Sequence, residues 1–506
     1  MTGGSRRYAA LLGAVCFVFV VLATANSGGY RYGIGDQAFY EPATQLRLHP
    51  DFFPRDRALL NSQAKLTVID EVLAGTSRAT GLELPSLFFA LYVLSLVTLC
   101  IAASRFADVL GFSPWATAMF LALLTLRHRI TKTGANTLEG YMHPRQLAFG
   151  VGVLALTASL KNRWVWAALW WTLAAVIHPT TALWFGGLIV GGVLLDAVLR
   201  TREAAAYGLL AAALLAVPQV APRLASLLHL RSAWIMDPTW AAVLADKDYI
   251  FVSTWPAYAW LTNLAYLPVL WLISRRRHDA GVAHPREHRL LTGALALFAV
   301  FVASVFFSEA RVAFAVQLQF SRVFWLIDLI AAAYVAWWIT SDRAAMRIAG
   351  QWTPRLALAI VVVLAVGRGV YTVRAGGPDR HLVRLDIPDG DWARTMRWLR
   401  TQPADWLVLA HPDHAWMYGT SVRVAASRDV VLESVKDRSI SMYDRSVAER
   451  VAERLSVLAR FAEMDTADAR AAGRHYHASV FIGANTQILA LPQLYANGSF
   501  TVYDLR

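Results

Sequence analysis

Charge and cysteine are both scarce in this chain. Of its 506 residues only 16% are charged, while 57% are hydrophobic and mean hydropathy is +0.42. Soluble domains run near ~25% charged and ~45–50% apolar, so a single soluble core cannot absorb this surplus. Two cysteines, Cys16 and Cys100, both in apolar runs, supply neither a disulfide framework nor a zinc site. There is no GxGxxG, no Walker motif and no defensible Ser/His/Asp order. No Lys/Arg stripe with interleaved aromatics marks a nucleic-acid surface, so no nucleic-acid partner is expected. Internal repeats are also missing, which removes the repeat architectures.

What is present is a series of uncharged runs at 8–30, 84–104, 109–126, 164–195, 204–222, 249–274 and 290–308. About 18 mostly apolar residues cross a ~30 Å hydrocarbon core as helix. The fold class expected is a polytopic α-helical membrane protein. Its spans are read at 8–25, 85–103, 113–127, 144–160, 164–178, 179–198, 204–221, 251–273, 289–307, 320–340 and 356–372, about eleven transmembrane helices. The first run, preceded by Arg6 and Arg7 and ending Ala23-Thr24-Ala25, reads as a retained helix or as a signal peptide.

An odd span count with the N-terminus cytoplasmic places the C-terminal domain outside. The inner loops then carry 15 basic residues, Arg6, Arg7 and Arg275–Arg277 among them, against nine in the short outer loops. That bias has the sign of the positive-inside rule. The expected location is the cell's inner (plasma) membrane, as a multi-pass protein. Residues 373–506 hold 17 basic against 16 acidic residues, so +12 of the net +13 belongs to residues 1–372, where it reports orientation and contact with membrane lipid.

The expected division is a transmembrane domain, 1–372, with a large first outer loop at 26–83, and a C-terminal extracytoplasmic domain, 373–506. In the loop, 57–80 has the periodicity of an amphipathic helix lying on the membrane surface. The tail alternates helix 391–401, strand 406–410, a short helix after Pro412, strand 430–433, helix 442–461 and strands 478–483 and 500–505. That order implies a small α/β domain.

Ionisable residues beside spans are costly and so are functional candidates. Asp36 follows two glycines about ten residues beyond the first span. It is placed either as a base at the membrane surface or as the N-cap of a helix over 37–48, and the two roles are compatible. Arg145 in Glu139-Gly140-Tyr141-Met142-His143-Pro144-Arg145 suits a phosphate through its bidentate fork, or else anchors the interface by snorkelling. His178, before Pro179, either donates to a phosphate or is a buried histidine at a kink. Glu309, Arg311, Gln319 and Arg322 form a third outer set, and Asp328 inside the next span is expected to pair with a neighbouring helix.

These residues carry a resemblance. A large first outer loop with an early acidic residue, many spans and an outer C-terminal α/β domain resemble the GT-C superfamily of membrane glycosyltransferases, which includes protein O-mannosyltransferases, aminoarabinose transferases and oligosaccharyltransferases. Gly35-Asp36-Gln37, Leu48-His49-Pro50-Asp51-Phe52-Phe53-Pro54-Arg55-Asp56, His143-Pro144-Arg145, Ile177-His178-Pro179 and Gln319-Phe320-Ser321-Arg322 look like those of uncharacterised bacterial relatives. The resemblance covers nearly the whole chain. It implies transfer of a sugar from a polyprenyl-phosphate donor to an extracytoplasmic acceptor, whether glycan, lipid or protein, in the cell envelope. It implies Asp36 as general base, with Glu139 as a second acid. Arg145, His178, Arg322, Gln319, Arg55 and His143 are then the substrate- and phosphate-binding set. Where the family has an Asp-Glu or Asp-x-Asp pair, this chain has Asp36-Gln37, so no metal site is assigned. A divalent cation on Glu139 is the one cofactor candidate. The alternatives are a catalytically inactive scaffold, which needs none of these residues, and a lipid-linked glycan transporter, for which the inverted repeats and broken helices are missing.

Overall fold

Long apolar runs leave a backbone that can satisfy its own hydrogen bonds only as helix, and helix dominates. A computed structural model describes residues 3–201, 235–342, 353–377 and 380–506. Six helical stretches are long and apolar enough to cross a membrane: Leu84–Val109, Pro179–Val198, Ala257–Asp279, Glu287–Glu309, Ala313–Ser341 and Pro354–Arg374. By length and composition these are the candidate spans of a multi-pass membrane protein. The first helix, Gly3–Asn26, has 24 residues and covers the expected first span. Of the other expected spans, Pro114–Thr125 and Trp164–Ile177 are apolar but fall below that length. The 12-residue helix Pro114–Thr125 rises only about 18 Å. Pro144–Leu160 is buried on nearly all sides, so protein rather than lipid surrounds it. The expected span 204–221 lies outside the described residues. Within 251–273 the helix begins only at Ala257 and is interrupted at Ala265, between Ala257–Leu264 and Tyr266–Asp279.

Glycines set the closest helix packing. A Cβ on Gly192 would lie 2.4 Å from the Arg289 carbonyl, and one on Gly293 would lie 2.3 Å from that of Leu188. Small residues at such crossings let backbones touch where no hydrophobic drive separates helix from lipid. Arg277, counted above among inner-loop cations, is instead buried. It donates to Glu287 through Nε (2.8 Å) and Nη2 (2.7 Å), and stacks on Trp337. Asp328 pairs with Tyr266 and His128, as expected of a carboxylate inside a span. The two cysteines are free and adjacent, with sulfurs 3.7 Å apart.

The compact units do not follow chain order. One comprises Met1–Tyr30, Ala90–Ile235 and Asp248–Val383; the other comprises Arg31–Phe89, Met236–Lys247 and Arg384–Arg506. Most of the first loop therefore folds with the C-terminal segment. The second unit holds a five-stranded mixed sheet in the order Asp429–Val430, Leu407–Ala410, Val480–Ala484, Phe500–Asp504, Gln493–Ala496. The first three strands are parallel and the last two antiparallel. Leu407–Ala410, apolar at every position, is buried throughout, as an interior parallel strand should be. Around it pack Trp392, Met396, Leu399, Val422, Ala426, Val480, Phe500 and Val502.

Local sequence sets several departures from expectation. The single surface helix expected at 57–80 is two, Arg57–Ala64 and Ile69–Thr80, because Thr67 Oγ1 accepts the Ile69 N–H (3.3 Å) and restarts the chain. Leu59, Leu60, Ile69 and Leu73 are buried in this unit rather than turned outward, while Leu66 and Val72 stay exposed. The strand at 430–433 is only Asp429–Val430, and the helix at 442–461 is Arg445–Val457, capped by Asp444 accepting from the Ser446 N–H (2.9 Å).

Candidate functional site

In the first unit the candidates gather around one loop. Arg129–Ile130 and Ala135–Asn136 form a short antiparallel ladder closed by Lys132 and Gly134, both at positive φ. Glycine is needed at 134 on a second ground: a Cβ there would stand 3.0 Å from the Tyr249 ring. The loop is tethered by Lys132 Nζ to Asp248 (2.6 Å) and by Asn263 Nδ2 to the Thr131 carbonyl (2.9 Å).

Two arginines from distant parts of the chain hold consecutive carbonyls of this loop. Arg145 Nη1 donates to the Gly134 oxygen (3.3 Å) and Arg322 Nε to the Thr133 oxygen (3.4 Å). Arg322 also lies over the Tyr249 ring, 5.0 Å from its centroid, and Ser321 Oγ donates to the Tyr249 carbonyl (2.7 Å). Arg145 is buried, and its Nη2 donates to Glu139 Oε1 at 2.6 Å. Glu139 further accepts from Asn136 Nδ2 (3.2 Å), and Arg127 Nη2 stands 3.6 Å from its other oxygen. Gly140 fixes the Glu139 turn against the Ser27–Gly29 backbone just after Gly3–Asn26, since a Cβ there would come within 2.7 Å of the Gly29 carbonyl. Arg127 and Arg145 thus both face the Glu139 carboxylate.

His143 adjoins Arg145, and His178 adjoins His143. His143 Nδ1 accepts the Arg145 backbone N–H (3.1 Å) and caps Pro144–Leu160, whose first residue is proline. Its ring meets that of His178 edge-on, 6.0 Å between centroids. His178 joins Trp164–Ile177 to Pro179–Thr201; its Nδ1 accepts the Thr181 N–H (3.3 Å) and lies 2.9 Å from Thr181 Oγ1. Gln319 is buried at φ 53°, in the left-handed turn before Phe320–Arg322. The structure thus brings Glu139, Arg145 and Arg322 to one loop, with His143 beside Arg145 and His178 against His143.

Asp36 and Arg55 belong to the second unit. Asp36 occupies the N-cap position of Gln37–Leu48, yet its side chain makes no capping hydrogen bond; Oδ1 instead accepts from Lys436 Nζ. The cap expectation is corrected here: an αR backbone at Asp36 aims the carboxylate away from the first turn. Gly33, at φ 76°, donates its N–H to Gln37 Oε1 (2.7 Å) and fixes the approach to Asp36. Arg55 is tied into the unit: Nη1 donates to the carbonyls of Tyr476 (3.1 Å) and His477 (2.7 Å), and its N–H to Asp429 (2.9 Å). A guanidinium so engaged with two carbonyls serves the fold first.

Sequence reasoning missed three residues. Lys436 was unremarkable except for being one of only five lysines. Tyr249 had no signal. Glu41 stood in the Asp36 segment but was not singled out. It is buried, accepting at Oε1 from Tyr32 Oη (3.0 Å) and Gln45 Nε2 (3.0 Å), with no hydrogen-bond partner on Oε2 among the described residues. Burial pushes its carboxyl from 4.5 up to about 7, against those two hydrogen bonds. Among the described residues no group of three or more His, Cys, Asp or Glu could hold a metal ion, and Glu139 is engaged by Arg145 and Asn136.

The sequence matches no family model and no curated protein.

Proposed function

We propose that this chain is a membrane glycosyltransferase of GT-C type, with about eleven spans and its C-terminal segment extracytoplasmic, moving a sugar from a polyprenyl-phosphate donor to an envelope acceptor. The observation that carries the reading is the shared hold of Arg145 and Arg322 on the Thr133-Gly134 backbone. Two guanidiniums preset on one loop, with Arg127 adjacent and Glu139 orienting Arg145, suit a phosphate leaving group whose charge grows in the transition state. Asp36 accepts the acceptor's proton as its oxygen attacks the anomeric carbon, and the lipid phosphate departs with the electrons of the broken glycosidic bond. Lys436 positions Asp36 through their ion pair. Glu139 serves by orienting Arg145. No nucleotide takes part, in keeping with the missing nucleotide motifs.

The test is transfer from a panel of polyprenyl-phosphate sugars by the purified full chain in proteoliposomes. Asp36→Asn should insert and melt normally but lose turnover by ~10²–10⁴-fold, since an amide cannot take the proton. Donor binding should survive, because the base serves the acceptor. Wild-type turnover in Asp36→Asn removes Asp36 from the reaction. No transfer by the wild type from any donor favours the scaffold reading.

A further inference from the structure

The second unit contains a cavity of about 520 Å³ that none of the roles above uses. Its size is that of a small-molecule site. Three rings line it, packed on one another at tilted and edge-on angles: Trp392 lies 4.7 Å from Tyr418 and 5.2 Å from Phe500, and Tyr418 lies 4.8 Å from Phe500. Trp392 is locked in place by donating Nε1–H to the Thr420 carbonyl (3.1 Å). Opposite chemistry shares the cavity. Asp389 and Asp391 line it, bound from outside the lining by Arg397 and Arg394 respectively, and Arg31 lines it as well. Asp389 is held below the usual carboxylate range by its bond from Arg397, and Asp391 by its bond from Ser499, so both are charged acceptors at neutral pH.

Aromatic rings beside fixed acceptors and a guanidinium match a ligand with apolar C–H groups and a rim of hydroxyls. A pyranose has that form, its axial C–H groups packing on the rings while its hydroxyls donate to the carboxylates. A phosphate would compete with Asp389 and Asp391 for the arginines that already pair with them, whereas a hydroxyl donates to those carboxylates. We propose that this cavity binds a neutral saccharide. It reaches the segment that carries Asp36, since Ile34, two residues earlier, lines it. The saccharide site rests on the cavity alone; its identification as the seat of the acceptor glycan rests also on the transferase reading.

The experiment uses the full chain in lipid nanodiscs. Saturation-transfer NMR is run against maltohexaose, cellohexaose, mannohexaose and chitohexaose, with inorganic phosphate as the competing probe. At least one hexasaccharide should bind, and Tyr418→Ala and Asp389→Asn should each weaken it about tenfold with an unchanged melting temperature. Trp416→Ala, 80% exposed on the same short helix but outside the cavity, should bind as the wild type does. Failure of every hexasaccharide to bind the wild type overturns the proposal. So does preferential binding of phosphate, or a loss confined to Trp416→Ala. Saccharide binding without sugar transfer leaves this site standing and removes only the transferase reading.

Discussion

Asp56 and Arg423, 367 residues apart in sequence, form a fully buried ion pair, Arg423 Nε donating to Asp56 Oδ2 at 2.8 Å. Asp56 also accepts from Arg450 and from the Val430 N–H (3.3 Å), while Arg423 reaches Asp437 through both terminal nitrogens (2.6 and 3.0 Å). The backbone N–H of Asp56 and that of Arg55 both donate to Asp429. This network accounts for the charged end of the His49–Asp56 segment: it joins the first loop to the sheet of the second unit.

Removing one partner should therefore strand the others. Asp56→Ala or Arg423→Met leaves buried charge uncompensated, at a cost of about 3–5 kcal/mol. Burial opposes the Asp56 charge, but Arg423 and Arg450 outweigh it and hold the carboxyl at about 2. Its contribution is thus present above the ordinary 3.8 and lost only as pH falls through 2. Thermal melts in detergent read the effect; an unchanged melting temperature in both variants would show the network to be dispensable.

Two buried carboxyls predict the opposite pH trend. Burial lifts Glu41 to about 7, and lifts Glu433 to about 7 against the Arg423 charge. Each has an ordinary value of 4.5, so between 4.5 and about 7 the folded chain holds protons that the unfolded chain has released. The stability present below 4.5 is then lost as pH rises through 7. The melting temperature should fall from about pH 5 to about pH 8, and Glu41→Gln should flatten part of that slope. A pH-independent melt of the wild type would contradict both assignments.

For the arginine loop, substitution by lysine is the informative change. Arg322→Lys and Arg145→Lys each keep the charge but lose the planar fork, and the former also loses the stack on Tyr249. Binding of a short polyprenyl phosphate should weaken by about tenfold or more in both lysine variants, nearly as far as in Arg322→Ala and Arg145→Ala. If all four variants bind as the wild type does, these arginines only brace the loop.

Orientation is tested by labelling. Cys16 and Cys100 are buried, so an impermeant thiol reagent starts from a low background. Cysteine placed at Ser439 should react in intact cells and one at Ser274 should not, given the inner-loop excess of basic residues. The reverse pattern would place the C-terminal segment inside.

Composition and pattern by themselves determined that the chain is helical, that its uncharged runs supply membrane-length helices, and that 391–506 alternates helix and strand. These are local properties: helix formation satisfies an apolar backbone within one segment, and alternation follows side-chain period. The candidate residues were legible only as positions beside spans. Tertiary structure decided their partners. Lys436 meets Asp36 across 400 residues, and Arg322 joins Arg145 on a loop 189 residues earlier in the chain. It also decided that Leu59 and Leu73 pack inside the second unit instead of on lipid, and that Arg277 is buried rather than interfacial. Amphipathic periodicity states that a helix has an apolar face; it carries no information on whether protein or bilayer covers that face.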